Sequence, residues 1–116
     1  MRRGVECGGL SVDSLSIESE REEGVPVIWL RGELDRLTAD DLDAAVRELA
    51  SKGSPMLILD VSELEFIDSA GLRSLSRAHN LLLDADRELV VRRPSPSVMR
   101  LIELVGLSEI LRIDTT

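Results

Sequence analysis

The chain has 116 residues, a net charge of −8, and 43% hydrophobic against 31% charged residues. That is the balance of one globular domain, with no apolar run near the roughly 20 residues that span a bilayer. The acidic excess argues against a general nucleic-acid or anionic-membrane binder, and Trp29 and Phe66, the sole aromatic residues, offer no base-stacking platform.

Residues 1–14 (MRRGVECGGLSVDS) are Gly-rich, polar and without periodicity, and read as a loose tail before a domain over residues 15–116. They lack the apolar core of a secretory signal, so a cytoplasmic location is expected, and Cys7, the single cysteine, leaves no internal disulfide framework. Leu15 to Glu18 alternates as a first strand. Glu22-Glu23-Gly24 supplies a turn, and Val25 to Arg31 is a second strand, the two forming a hairpin. Pro26 lacks an N–H and belongs at a strand's beginning or at an edge. Gly32 and a loop of Glu33-Leu34-Asp35 follow. Thr38 with Asp41 resembles a capping box, and Leu42, Ala45, Val46 and Leu49 form one apolar helical face that Gly53 stops.

Met56 to Val61 is nearly continuous apolar, the pattern of a strand covered on both faces or nearly so. Leu64, Phe66 and Ile67 lead into Ser69, from which Leu72, Leu75, His79 and Leu82 fall on one helical face. Asp84 and Asp86 mark its exit turn. Glu88 to Arg92 is another strand. Ser95 is placed as an N-cap with Pro96 at the first helical position, Val98, Leu101, Ile102 and Val105 form a third apolar face, and Gly106 ends it. A last strand is expected over Ile110 to Ile113. The order β-β-α-β-α-β-α-β predicts a mixed, mostly parallel α/β sheet with an N-terminal hairpin and right-handed crossovers.

Enzyme chemistry finds little support. One histidine and one cysteine give a metal site almost nothing to draw on, no phosphate-cradling glycine loop occurs, and no cofactor is expected. His79 reads as a half-buried helix residue and Cys7 as inert. The carboxylates Asp40, Asp41 and Asp43, and Glu20, Glu22 and Glu23, read as solvated faces and turns. A hydrolase built on Ser69 lacks its catalytic partners.

Ser69 opens a helix just after a strand. If the strands are parallel, that junction lies on the rim at their carboxyl ends, together with the loop holding Asp35. Two readings stand side by side: a helix cap, for which Ser and Asp are favoured, or a hydroxyl set in solvent for another protein to modify. Gly71 costs about 0.8–1 kcal/mol relative to Ala in a helix, and with Ala70 it suggests a bare surface suited to close approach.

FIDSAGL resembles the D-S-[STA]-G-L signature of anti-sigma factor antagonists, a branch of the STAS domain family. RGELDRLTA is similar to that family's second hallmark, and SPSVMRLIELVGLSEILRI to its closing helix and strand. The resemblance covers residues 15 to 113. It implies a phosphoacceptor at Ser69 and a nearby partner surface including Asp35, Asp68, Ala70, Gly71, Leu72, Arg73 and Ser76, with Leu72 also read as core. Two departures are Ala70, where Ser or Thr is common, and Asp84-Ala85-Asp86-Arg87 in place of a glycine-rich turn.

The resemblance further implies partner switching without enzymatic activity of the chain's own. The unphosphorylated protein would bind an anti-sigma factor with serine kinase activity, freeing a sigma factor. Phosphorylation at Ser69 would release it, and a metal-dependent serine phosphatase would reset it. No nucleic acid and no membrane insertion are implied. The rival expectations are a non-enzymatic STAS subunit of a membrane transport or lipid-trafficking complex, and a stressosome-type scaffold.

Overall fold

The alternating residues Leu15–Glu22 (β1) and Val25–Leu34 (β2) pair antiparallel, with Glu22 opposite Val25. The turn between them is Glu23-Gly24, both at positive φ, the geometry that matches the twist of a hairpin. Pro26 is the second residue of β2, as its missing donor requires. The structure is a computed structural model that describes residues 15–116, so the expected tail and Cys7 lie outside the described residues.

After the hairpin come α1 (Ala39–Ala50), β3 (Met56–Ile67), α2 (Ser69–Asp84), β4 (Glu88–Arg92), α3 (Pro96–Leu104), a 3₁₀ turn (Leu107–Glu109) and β5 (Arg112–Asp114). The strands lie in sequence order, β1-β2-β3-β4-β5, and every pair after the first is parallel. All three crossovers move the same way across the sheet, so right-handed connections put every helix on one face. The register agrees: Ile28, Leu59, Val91 and Ile113 stand side by side facing the helices, and all but Ile113 are fully buried with Leu42, Val46, Leu75, Leu82 and Ile102. Trp29, Asp60, Arg92 and Asp114 share the next row, on the opposite face.

Several sequence expectations are corrected. β1 runs to Glu22 rather than Glu18. β2 continues through Gly32 to Leu34, where a loop was expected, because register shifts at Trp29/Arg31 and Gly32/Glu33 absorb the glycine. β3 continues past Val61 to Ile67, its charged Glu63 and Glu65 pointing to solvent. Among the described residues helices cover β3 on one face alone, so Met56 and Ile58 are half-buried while Leu57 and Leu59 are buried. The last strand begins at Arg112; Ile110 lies in the turn before it and is exposed.

Asp43 is not a solvated carboxylate. It accepts the Ser74 hydroxyl at 2.7 Å and the Arg77 guanidinium at 2.8 and 3.2 Å, tying α1 to α2. Glu22 likewise accepts from Arg92 at 3.0 Å. Ser95 caps α3 as expected, accepting the Val98 N–H ahead of Pro96, and His79 is half-buried.

Candidate functional site

The carboxyl ends of β2 and β3 bring two turns together. The first runs from Leu34 into α1. Asp35 folds its carboxylate back on its own turn, accepting the N–H of Leu37 at 3.0 Å and of Thr38 at 3.2 Å, a hydrogen-bonding habit of Asp in turns. Thr38 is buried. It does not cap α1 through its side chain, and the expected capping box with Asp41 is not formed. Its hydroxyl instead turns back, accepting the Asp35 N–H at 2.9 Å and donating to the Glu33 carbonyl at 3.0 Å.

The second turn runs from Ile67 into α2. Asp68 has extended backbone and is the N-cap, accepting the Gly71 N–H at 3.0 Å. Ser69 is the first helical residue. It is exposed, and its hydroxyl has no hydrogen bond among the described residues. The capping reading of Ser69 is therefore corrected: Asp68 does that work, and the hydroxyl is left to solvent beside the positive end of the helix dipole.

Gly71 is also corrected. It is buried, and a Cβ there would overlap the Leu34 carbonyl oxygen and come within 2.7 Å of Ile67 Cγ1. Its missing side chain serves the close approach of α2 to the end of β2, not a bare surface. The same Leu34 carbonyl accepts the Asp68 N–H at 3.2 Å, so the two turns are joined through backbone.

A model of the family described as "Mlab, STAS domain" matches residues 17–112. The chain belongs to the STAS domain family. The anti-sigma-F factor antagonist RsfB of Mycobacterium tuberculosis is 32% identical over 104 residues, covering 90% of this chain and 84% of that protein. An anti-sigma factor antagonist from Mycobacterium paratuberculosis, solved as a crystal structure, superposes with a TM-score of 0.78 at 31% identity, over 91% of this chain and 90% of that one. The Bacillus cell fate determinant SpoIIAA, solved in a phosphorylated form, shares the fold with a TM-score of 0.66 at 22% identity, over 86% of this chain and 92% of that one.

In this STAS domain the residues singled out from sequence divide into two groups. Ser69, Leu72, Arg73 and Ser76 line a shallow groove of about 250 Å³ whose far wall is Val105 and Leu107, at and beyond the end of α3. Leu72, at 6% exposure, forms its floor and is otherwise core. Asp35, Asp68 and Gly71 meet instead around the Leu34 carbonyl, and Ala70 is half-buried.

The sequence placed Val105 on the apolar face of α3, and that is corrected: it is the C-cap, where the helix has ended, and is turned outward, while Leu107 was missed by sequence reasoning. Leu104 and Val105 are 73% and 56% exposed, so both apolar side chains at the end of α3 face solvent. Such side chains beside an exposed hydroxyl make a surface that can pack against another protein. Among the described residues no group of three or more His, Cys, Asp or Glu could hold a metal ion, and no helix is long and apolar enough to cross a membrane.

Proposed function

We infer that this STAS domain is an anti-sigma factor antagonist whose docking to an anti-sigma factor is switched by phosphorylation of Ser69. The observation that carries the reading is the Ser69 hydroxyl, exposed at the start of α2 and, among the described residues, without a hydrogen bond. The names of its relatives in mycobacteria supply the class of partner. The unmodified protein binds its partner through the rim and the groove formed with Leu72, Arg73, Ser76, Val105 and Leu107. In this reading the chain is a ligand and a substrate rather than an enzyme, working in the cytoplasm, and the kinase activity belongs to the anti-sigma factor.

Transfer forms a bond between Ser69 Oγ and the γ-phosphorus of ATP and breaks the bond from that phosphorus to the β-phosphate oxygen. ADP leaves, and a base on the kinase takes the hydroxyl proton. The product carries roughly −1.5 to −2 charge and three acceptor oxygens. A helix N-terminus stabilises such charge by about 0.3–1 kcal/mol, and Arg73, four residues on, is a cation on the same side of the helix. The fold therefore tolerates the modification. The docked partner does not: a loss of ~3 kcal/mol from burying that charge in a packed contact weakens binding more than a hundredfold. A serine phosphatase restores the unmodified form.

The test is phosphopeptide mass spectrometry after incubation with ATP and each candidate anti-sigma kinase from the source cell, paired with affinities of Ser69→Ala and Ser69→Asp. Phosphate confined to Ser69, retained binding by Ser69→Ala and lost binding by Ser69→Asp are expected. Equal binding by both variants, with no phosphate at Ser69, rejects the reading.

A further inference from the structure

The peptide group joining Leu34 to Asp35 is held at both edges. Its N–H donates to the Thr38 hydroxyl at 2.9 Å, and its C=O accepts the Asp68 N–H at 3.2 Å. In a trans peptide these two groups point in opposite directions from a rigid plane. Whatever fixes the N–H edge therefore aims the carbonyl.

Two side chains fix it. Thr38 spans the segment by donating to Glu33 C=O while accepting from Asp35 N–H. Asp35 holds Thr38 in turn, its carboxylate accepting the Thr38 N–H and lying 3.2 Å from the Thr38 hydroxyl. At the other edge the carbonyl meets the first turn of α2 at two points, the Asp68 N–H and the Cα side of Gly71. Ser69 sits between those points in the chain.

We propose that Asp35 and Thr38 are positioning residues for Ser69: through the Leu34–Asp35 peptide they lock the first turn of α2, so that the hydroxyl is presented to the kinase in one orientation. This rests on the reading of Ser69 as phosphoacceptor, and it gives Asp35 a task other than contact with the partner. Its Oδ1, an acceptor that Asn also has, makes the bonds. The negative charge is not needed.

The experiment compares Asp35→Asn, Asp35→Ala and Thr38→Val with wild type by two measurements. The first, on the free protein, is hydrogen exchange at the Asp68 amide, with the Leu59 amide as a check that the core is folded. The second is steady-state phosphorylation of Ser69 by a kinase that modifies the wild-type protein. Asp35→Asn should match wild type within about twofold in both. Asp35→Ala and Thr38→Val should lose about tenfold in Asp68 protection and in kcat, with KM within about twofold, because a misplaced reacting group slows transfer without removing binding.

An Asp35→Asn variant as impaired as Asp35→Ala would show a charge contact and overturn the proposal. So would unchanged Asp68 protection in Asp35→Ala. If wild type accepts no phosphate at Ser69, the phosphoacceptor reading fails by itself, while exchange at Asp68 still decides whether Asp35 and Thr38 hold the turn.

Discussion

Asp68 and Gly71 close the first turn of α2 between them, carboxylate to amide at 3.0 Å, and Ser69 stands inside that closure without contributing to it. The two neighbouring residues should therefore respond oppositely to alanine. Asp68→Ala removes a cap and should cost about 1 kcal/mol, a drop in Tm of about 4 °C for a domain of this size. Ser69→Ala should stay within about 0.5 kcal/mol of wild type, as exposed substitutions do. Thermal unfolding of both variants checks this. A Ser69→Ala loss equal to that of Asp68→Ala would mean the hydroxyl has a structural role.

Gly71→Ala should destabilise, against the usual rule. In an open helix interior the change gains about 0.8–1 kcal/mol. Here the new methyl meets the Leu34 carbonyl, which is backbone, and Ile67 Cγ1 at 2.7 Å. Overpacking of that kind costs about 1–3 kcal/mol, and contact with backbone puts it at the upper end, so a net loss of up to about 2 kcal/mol in urea unfolding is expected. A stabilised Gly71→Ala would show that α2 can move away from β2 at little cost.

The order of elements was legible because three apolar helical faces and the runs VPVIWLR and MLILDV carry distinct periods. Their ends were not. Gly32 reads as a breaker, yet in β2 a register shift beside it lets pairing resume. The apolar run stops at Val61, yet β3 continues to Ile67 with only Leu64 and Ile67 buried beyond it, a pattern too sparse to read as a strand. Asp68 and Ser69 are both good caps, and local preference cannot choose between neighbours; in the fold Asp68 is tied by its N–H to the Leu34 carbonyl and its carboxylate takes the Gly71 N–H. Asp43 was misread because its partners Ser74 and Arg77 lie more than thirty residues away, which no charge pattern reveals.

The α3 wall of the groove gives a prediction about binding without stability. Val105 is the C-cap of α3 and over half exposed. Val105→Asp should leave unfolding within about 0.5 kcal/mol of wild type and weaken anti-sigma factor binding at least tenfold, which corresponds to about 1.4 kcal/mol. Titration calorimetry with the kinase found for Ser69 would measure it. Unchanged affinity would remove Val105 and Leu107 from the partner surface and confine docking to the rim.

Far from that surface, the fold's acid sensitivity should centre on Asp60. On the helix-free face its side chain is fully buried, accepting from the Ser62 hydroxyl and N–H at 2.6 and 3.0 Å, Arg92 Nε at 2.8 Å and Arg93 Nη2 at 2.6 Å. Both guanidinium groups also lie over the Trp29 ring, at 5.1 and 5.9 Å from its centre. Burial alone would raise the Asp60 pKa, but the bonds from Ser62, Arg92 and Arg93 outweigh it and hold the carboxyl below its ordinary value of 3.8. A carboxylate more acidic folded than unfolded favours the native state at every pH above its unfolded value. That contribution fades as pH falls through the folded value. Asp60→Asn should therefore be less stable than wild type at about pH 7, by roughly 3 kcal/mol for a broken buried pair, and the gap should narrow toward about pH 2.5. Urea unfolding of the two proteins at both pH values isolates Asp60 from the other acids, and an equal gap at each would show that its ionisation does not support the sheet.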